Sequence, residues 1–214
     1  MRIGVLGTGM VGQAIATRLI QLGHDVRMGS RDANNEKARN WVTQAGSHAS
    51  QGTFADAAAF GDVLFNCTSG DGSLAALKAA GEKNLNDKVL IDVANPLNNT
   101  TKPLPSLSVC NDDSLGERIQ REFPKAKVVK SLNTMNCQLM VDPSKVHGEH
   151  DVFVCGNDAE AKSTAMEILR EFGWDRPVDL GDITASRGTE MILPIWLRIM
   201  VTLKTPMFNF HIAR

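Results

Sequence analysis

Short apolar runs alternate with amphipathic segments along most of the chain, and glycine or polar residues separate them. Residues 3–6 form the first apolar run, and the apolar positions then recur at helical spacing over residues 11–22. Further strands are predicted at residues 25–28, 62–67, 88–93, 127–132, 151–155 and 178–180. This rhythm predicts an α/β fold over residues 1–181, a doubly wound parallel sheet of the NAD(P)-binding Rossmann type.

Polar side chains stand at the starts of several predicted helices, where they would satisfy free backbone N–H groups. The predicted caps are Asp32 for the helix over residues 36–45, Thr53 with Asp56, Ser114 with Glu117, and Asp158. The two pairs have the three-residue spacing of a capping box.

The end of the chain has a different pattern. Residues 183–204 are predicted to form one helix whose apolar residues go almost all round its axis. A helix without a polar face must be buried on every side, and a domain this small hardly covers it alone. We therefore expect residues 182–214 to be a short C-terminal helical dimerisation segment of a homodimer. Burial in the parent core is the alternative.

The first strand and first helix are joined by Gly7-Thr8-Gly9-Met10-Val11-Gly12, which has G-x-G-x-x-G spacing. Gly7 permits the tight turn, Gly9 lets the backbone approach a pyrophosphate, and Gly12 lets the helix pack close to the strand. The N–H groups of Met10 and Val11 would face the phosphates from the positive end of the helix. The motif predicts a dinucleotide site, with an ordinary strand-to-helix turn as the alternative.

The end of the second strand indicates which dinucleotide binds. An acidic residue there holds the ribose hydroxyl of NAD, whereas an Arg accommodates the 2′-phosphate of NADP. Ser30 and Arg31 stand at this position, and Lys37 lies a turn or two later. A hydroxyl, a guanidinium and an ammonium suit a dianionic phosphate. NADP is therefore favoured, and Asp32 is the competing ribose ligand.

Other strand ends would supply residues to the same edge of the sheet, where Rossmann folds bind ligands. These residues are Thr68, Ser69, Gly70, Asn95, Pro96 and Asn133. Residues 97–113 are polar with two prolines and are predicted to form a long surface loop beside the nicotinamide end. For Thr68 and Ser69, simple capping of the next helix is an equally acceptable interpretation.

Composition removes several classes of function. The net charge of −1 and the absence of a basic cluster give no support for nucleic-acid binding. The chain contains no Tyr, which short-chain dehydrogenases need as a catalytic acid, so that class is excluded. Its 214 residues, 43% of them hydrophobic, can bury a full core.

The cysteines and apolar runs favour a cytoplasmic protein. Cys67, Cys110, Cys137 and Cys155 lie far apart without C-x-x-C spacing, as expected for reduced thiols. No signal peptide is expected before the first strand. The longest apolar run, residues 191–203, is too short to span a bilayer, so no membrane partner is expected.

No residue pattern indicates a metal site or an activated nucleophile. His147 and His150 lie in a polar loop without a third ligand, so a solvated loop is preferred. Cys137 has no base to activate it, and a packing or backbone-contact role is preferred. Asn133 is the one catalytic candidate, because it could orient the nicotinamide or the acceptor. Strand-end capping is its alternative role.

Taken together, these motifs resemble those of the NADPH-dependent oxidoreductases of the coenzyme F420 family over nearly the whole chain. The matching pieces are Gly7 to Gly12 and residues 29–31, 36–38, 95–96, 128–134, 154–158 and 208–210. The chain is also similar to the cytosolic domain of the six-transmembrane ferric and cupric reductases, which use NADPH and a flavin.

The resemblance implies NADP contacts at Thr8, Gly9, Met10, Val11, Ser30, Arg31, Lys37, Gly70 and Leu74. It also implies that the backbone near Cys137 holds the nicotinamide carboxamide. The implied reaction is hydride transfer between NADP(H) and F420 or a flavin such as FMN or FAD. The cofactors carry that chemistry, so no strong general acid or base is required.

Two alternatives stay open. The β-hydroxyacid and imine dehydrogenases share this opening, but they carry a large helical domain and a catalytic Lys in a glycine-rich motif after the strand that corresponds to residues 127–132. Residues 135–150 contain no such motif. A non-catalytic NADPH-binding redox sensor would use the same binding residues.

Overall fold

The computed structural model describes residues 1–213, which form an eight-stranded sheet with helices on both faces. The strands are β1 (Arg2–Leu6), β2 (Asp25–Ser30), β3 (Ala49–Thr53), β4 (Val63–Asn66), β5 (Val89–Asp92), β6 (Leu97–Asn98), β7 (Ser106–Leu107), β8 (Lys127–Ser131), β9 (Phe153–Gly156) and β10 (Val178–Asp179). The helices are α1 (Met10–Gln21), α2 (Glu36–Ala45), α3 (Phe54–Phe60), α4 (Ser73–Ala80), α5 (Glu82–Leu85), α6 (Leu115–Glu122), α7 (Cys137–Val141), α8 (Ala159–Glu171), α9 (Ser186–Met191) and α10 (Leu193–Leu203). Two short 3₁₀ turns cover Pro143–Lys145 and Ile183–Ala185.

The order of the strands confirms the predicted Rossmann-type sheet. It runs β10-β9-β8-β5-β4-β1-β2-β3, and the six strands from β8 to β3 in this order are parallel to one another. Successive strands are added on one side of β1 and then on the other, so the direction of winding reverses between β1 and β4. Such a switch point opens a crevice beyond the carboxyl ends of the strands.

Two details of the sheet differ from the prediction. β9 runs antiparallel to β8, and β10 is parallel to β9. A short buried apolar run has the same sequence pattern in either direction, so the pattern could not show this reversal. β3 was missed altogether, because its five residues have no apolar alternation and only Gly52 is fully covered.

Two apolar cores cover the two faces of the sheet. On one face, α1 contributes Ile15 and Leu19, and α8 with its C-cap residue contributes Ile168 and Phe172. On the other, α3, α4 and α6 contribute Ala57, Leu77 and Ile119. The alanines of α3 and Gly4 of β1 let the helix lie directly on the sheet, since a Cβ at Gly4 would stand 2.4 Å from the Ala57 carbonyl oxygen. This close packing fixes the strand ends from which the site is built.

The helix caps confirm most of the predicted starts. Thr53 and Asp56 form the complete capping box, and the Asp158 carboxylate accepts a hydrogen bond from the Ala161 N–H. Ser114 caps α6 by accepting from the Glu117 N–H, but the Glu117 carboxylate binds Arg187 instead of completing a box.

The predicted cap of α2 is wrong. Asn35 is the residue whose side chain accepts from the Ala38 N–H, at 3.1 Å. Asp32 instead accepts from the Asn34 N–H at 2.8 Å, which closes a local turn before the helix. Both residue types are acceptable caps, and the helix starts at Glu36 as predicted, so only the identity of the capping residue differs.

Residues 97–113 are not the structureless loop that was predicted. β6 and β7 pair antiparallel in a short hairpin, with Leu97 opposite Leu107. The apolar side chains of this segment pack against α10. The segment has the polar composition of a loop because the hairpin buries only Leu97, Leu104 and Leu107 against α10.

The C-terminal helix is also less simple than predicted. Pro194 has no N–H to donate to the Glu190 carbonyl, and the helix is divided into α9 and α10 at Ile192. One face of α10 is buried through Leu193, Trp196 and Leu197. The hairpin and the aromatic tail residues Phe208 and Phe210 cover that face, so part of the apolar surface is buried within the chain itself.

Met191, Ile195, Val201 and Leu203 remain exposed on this segment. Within residues 1–213, no helix combines the length and the apolar character that crossing a membrane would require.

Candidate functional site

A cleft of about 760 Å³ opens at the switch point of the sheet. It lies beyond the carboxyl ends of β1, β2 and β4, and it contains residues from all three connections to the following helices. Its lining comprises Gly7, Thr8, Gly9, Ser30, Arg31, Asp32, Asn35, Phe54, Cys67, Thr68, Ser69, Asp71, Gly72, Ala75, Ala76 and Ala79. Seven of the predicted binding residues are therefore brought together here.

The glycine turn has the shape that a phosphate cradle needs. Gly7 has a φ of +124°, and a Cβ there would stand 2.5 Å from the Cys67 carbonyl oxygen. A Cβ at Gly12 would stand 2.1 Å from the Gly7 carbonyl oxygen, so a side chain would displace the helix from the strand. Gly9, in contrast, has open space around its missing Cβ. Two glycines thus serve packing, and the third leaves room for a ligand.

The start of α1 is open toward this space. Gly9 is the N-cap residue and provides no side-chain hydrogen bond, and no acidic residue lies in the first turn. The first N–H groups of a helix have no acceptor within the helix, so those of Met10 and Val11 remain available to an anion. This arrangement fits the diphosphate of a dinucleotide.

The end of β2 lines the cleft beside the end of β1. Arg31 lies exposed on the rim, beside Asn35 at the start of α2. Ser30 is buried, and its hydroxyl donates to the Asp32 carbonyl, so it shapes the turn and retains only its acceptor lone pairs for a ligand. Lys37 is exposed in the first turn of α2 but does not line the cleft. Arg31 is therefore the cation best placed for a 2′-phosphate.

The loop after β4 forms the third wall. The Thr68 hydroxyl donates to Oδ1 of Asn66 at 2.7 Å, and the Ser73 hydroxyl donates to the Ser69 carbonyl at 3.1 Å. Gly70 packs against the next strand end, where a Cβ would stand 2.0 Å from the Asn95 carbonyl oxygen. Thr68 and Ser69 line the cleft, whereas Gly70 and the half-buried Leu74 do not.

Asn95 and Asn133 bind each other across two strand ends. The Asn95 amide donates to the Asn133 carbonyl at 2.7 Å, and the Asn133 amide donates to Oδ1 of Asn95 at 2.9 Å and to the Thr189 carbonyl at 3.1 Å. Asn133 is 2% exposed. Its donor group is therefore used inside the protein, which favours the strand-end role over direct contact with a nicotinamide. Pro96 is buried beside Asn95.

Cys137 is not among the residues that line the cleft. Cys137 begins α7 and is half-buried, and burial raises the pKa of its thiol, which disfavours a nucleophilic role. Burial also raises the pKa of Cys155, to about 12, and that of Cys67. The four cysteines are free, as the sequence predicted.

His150 is not in a solvated loop. Its ring packs edge-on against Trp174 at 5.2 Å, and Nε2 lies 3.1 Å from the Pro143 carbonyl oxygen. These residues line a second cavity of about 580 Å³. His147 is exposed. Among residues 1–213, no group of three or more His, Cys, Asp or Glu side chains could hold a metal ion.

The most heavily buried charges near the site were missed by the sequence reasoning. Nζ of Lys130 lies 2.9 Å from Oδ2 of Asp92 and 2.8 Å from Oε1 of Glu190, and it also donates to the Ala94 carbonyl. All three side chains are at most 1% exposed. Burial would lower the pKa of Lys130, but the two carboxylates hold that pKa above its usual value.

A limited sequence signal existed for this cluster. Asp92 and Lys130 each lie at a strand end in a run of apolar residues, where an unpaired charge would be costly. Nothing in the local pattern identifies Glu190 as the third member, because 60 or so residues and several elements separate it from Lys130. Asn35, Phe54 and Asp71 in the cleft lining also had no distinguishing pattern.

Known proteins show similarity to the whole chain. The family model described as "NADP oxidoreductase coenzyme F420-dependent" matches residues 2–96. The F420-dependent NADP reductase of Methanocaldococcus jannaschii is 28% identical over 96% of this chain and 95% of its own. The metalloreductase STEAP3 of Rattus norvegicus is 30% identical over 91% of this chain, which spans only 38% of that protein.

Solved structures agree with these matches. A crystal structure from Arthrobacter sp. FB24 carries the provisional name F420-dependent NADP-reductase. Its sequence is 49% identical to this chain, and the two structures superpose over the full length of both chains with a TM-score of 0.97. The imine reductase of Myxococcus stipitatus in complex with NADP⁺ is 16% identical with a TM-score of 0.66, over 95% of this chain and 64% of its own. The second similarity shows the fold alone.

Proposed function

The chain belongs to the family of coenzyme F420-dependent NADP oxidoreductases, and from this premise we propose that it transfers a hydride between NADP(H) and a deazaflavin such as F420. A flavin, FMN or FAD, is the other acceptor of the same chemical type. One observation supports the proposal most strongly: the open glycine turn and Arg31, at the ends of neighbouring strands, line one cleft at the switch point. That is where a Rossmann sheet binds a dinucleotide.

In this proposal the diphosphate lies on the N–H groups of Met10 and Val11, next to Gly9, where the start of α1 is open. Arg31 binds the 2′-phosphate, with Lys37 and the start of α2 adding positive potential. One wall of the cleft is apolar and suits a flat aromatic ring of the dinucleotide; it is formed by Phe54, Ala75, Ala76 and Ala79. The nicotinamide end points toward Thr68 and Ser69, and the backbone at Cys137 remains the proposed partner of its carboxamide.

Bound NADPH supplies the hydride from C4 of its nicotinamide, so the protein contributes binding and alignment. The buried ionisable groups beside the cleft agree with this division of roles. Lys130, Asp92 and Glu190 bind one another, the Asn66 amide and backbone groups, so their polar atoms are already used inside the protein. Asn133 then acts as a positioning residue at the strand end.

The test is the oxidation of NADPH in the presence of F420, FMN, FAD or a ferric chelate, each in a separate reaction. The proposal expects turnover with F420 or a flavin, and a strong preference for NADPH over NADH. Turnover with none of the four acceptors, despite tight NADPH binding, would favour the redox-sensor alternative.

The homodimer is proposed on separate grounds. Met191, Ile195, Ile199 and Leu203 recur every four residues, so they form one stripe along α9 and α10. Three of them are among the exposed large apolar residues of the chain. In the described residues, the buried Nε1 of Trp196 on the same helix has no hydrogen-bond partner. A second copy packed on residues 182–214 would cover the stripe.

We propose residue 181 as a functional boundary: residues 1–181 bind NADP, and residues 182–214 form the dimer interface. The boundary is not a structural gap, because Ser186 and Glu190 are buried and bind residues of α6 and its cap. The reduced thiols agree with a cytoplasmic location, which cell fractionation would test.

A further inference from the structure

Three neighbouring strands bring Asn66, Asp92 and Lys130 into one row across the sheet. Asn66 of β4 is in register with Asp92 of β5, and Asp92 is in register with Lys130 of β8. Nδ2 of Asn66 donates to Oδ1 of Asp92 at 2.7 Å, and Lys130 donates to Oδ2 of Asp92 at 2.9 Å. Because all three side chains are buried, each hydrogen bond constrains the next one.

At one end of the row, Asn66 holds the loop that lines the cleft. Its Oδ1 accepts from the Thr68 hydroxyl at 2.7 Å, and its Nδ2 donates to the Ser73 hydroxyl at 3.1 Å. The Ser73 hydroxyl donates in turn to the Ser69 carbonyl. Both Thr68 and Ser69 line the cleft. The orientation of the Asn66 amide therefore sets the position of the two hydroxyl residues that face a ligand.

At the other end, Glu190 closes the row from the C-terminal segment. Its carboxylate binds Lys130 at 2.8 Å and accepts from the N–H groups of Leu115 and Gly116 at 2.9 and 3.0 Å. These two groups lie at the start of α6 and would otherwise have no partner within the helix. The row thus connects the C-terminal segment with the wall of the cleft.

We infer that Asn66, held in one amide orientation by Asp92 and Lys130, is a positioning residue for the dinucleotide: it fixes the Thr68–Ser69 loop in the shape that binds the nicotinamide half of NADP(H). This inference rests on the proposed function, because it needs NADP(H) in the cleft. Asn66 contacts no ligand itself and acts through Thr68 and Ser73.

The first test is an exchange of the two side chains. Asn66→Asp places a second carboxylate beside Asp92, and we expect the Kd for NADPH to rise about tenfold, the equivalent of losing one hydrogen bond. Adding Asp92→Asn gives the pair at positions 66 and 92 one amide donor and one carboxylate acceptor again. The amide oxygen at position 92 would still accept the hydrogen bond from Lys130. The double variant should recover a Kd within about threefold of that of the wild type.

A matched control separates positioning from loss of stability. Glu117 and Arg187 join α6 to α9, the same two elements as Glu190, with Nε of Arg187 2.9 Å from the carboxylate, but they touch neither Asn66 nor Asp92. Glu117→Gln should lower the melting temperature and leave the Kd for NADPH unchanged. The milder variant Ser73→Ala, which folds more readily than a buried charge change, should raise the Kd about threefold.

The outcomes are distinct. The inference is supported if the Kd for NADPH rises in Asn66→Asp, returns toward the wild-type value in the double variant and stays unchanged in Glu117→Gln. Equal effects of Ser73→Ala and Glu117→Gln on the Kd, at matched loss of melting temperature, would overturn it and leave the proposed function intact. A wild-type protein that does not bind NADPH would overturn the proposed function and this inference together.

Discussion

The two halves of the sheet are organised by contacts of very different sequence separation. In the half that contains the cleft, the turns after β1 and β4 have close partners only a few positions away, such as Gly7 with Gly12 and Asn66 with Ser73. In the carboxyl-terminal half, Lys130 and the start of α6 depend on Glu190, and the Asp151 N–H donates to the Phe210 carbonyl. A binding site can thus be specified locally while the support beneath it is specified by distant parts of the chain.

The largest effect is expected from removing the buried cation. Lys130→Met leaves the carboxylates of Asp92 and Glu190 buried without their shared partner, and we expect the free energy of unfolding to fall by about 3–5 kcal/mol. Denaturant unfolding followed by circular dichroism measures the loss. The control Lys78→Met breaks the exposed pair with Glu122 and should cost less than about 1 kcal/mol. Similar losses in the two variants would contradict the claim that the buried cluster supports the carboxyl-terminal half.

In the cleft half, Arg31→Ala should change binding and leave stability nearly unaltered. Removing a charge-assisted contact to the 2′-phosphate is worth about 1.5–3 kcal/mol, so the Kd for NADPH should rise about 10- to 100-fold. NADH has no such phosphate, and its Kd should stay within about twofold. Fluorescence titration of both dinucleotides gives the two values. Equal weakening of NADPH and NADH would contradict the assignment of Arg31.

The exposed stripe of the C-terminal segment gives a smaller but more specific effect. Ile195→Glu would place a charge in the proposed interface, and the dimer dissociation constant should rise at least about tenfold. Val201→Glu is the matched control, because Val201 is 55% exposed against 52% for Ile195 but lies about 120° away round the helix. Light scattering after gel filtration should show a monomer for the first variant only. If the wild-type protein is monomeric, the proposed interface is wrong.

The smallest expected effect is on the stability of the protein at acidic pH. Hydrogen bonds from Arg187 hold the pKa of Glu117 below its ordinary value of 4.5. A folded-state pKa below the unfolded value stabilises the protein above about pH 4.5, and this stabilisation is lost as the pH falls through the lowered pKa. Glu117→Gln should therefore be less stable than the wild type by about 1 kcal/mol at pH 7, and the difference should shrink toward pH 3. Thermal unfolding at several pH values would measure it, and a constant difference would contradict the pairing.

The same contrast explains how much could be predicted from the sequence. The glycine turn, the Thr53–Asp56 capping box and the parallel strands of the cleft half were correctly predicted, since each depends on residues within one or two elements. Seven of the predicted binding residues do line the cleft.

The errors have physical causes that a local pattern does not contain. The apolar run of β9 fits a parallel or an antiparallel neighbour, and the structure has the antiparallel one. α2 is capped by Asn35 because a turn closes first at Asp32. In each case a contact distant in sequence or an added turn decided the outcome.

Isothermal titration of NADPH and of NADH into the wild-type protein tests the central claim most directly. The claim is that the cleft at the switch point binds a dinucleotide through the open start of α1 and through Arg31. We expect one NADPH to bind per chain with measurable heat, and NADH to bind at least about tenfold more weakly. No heat with either dinucleotide, or equal affinity for both, would contradict the account.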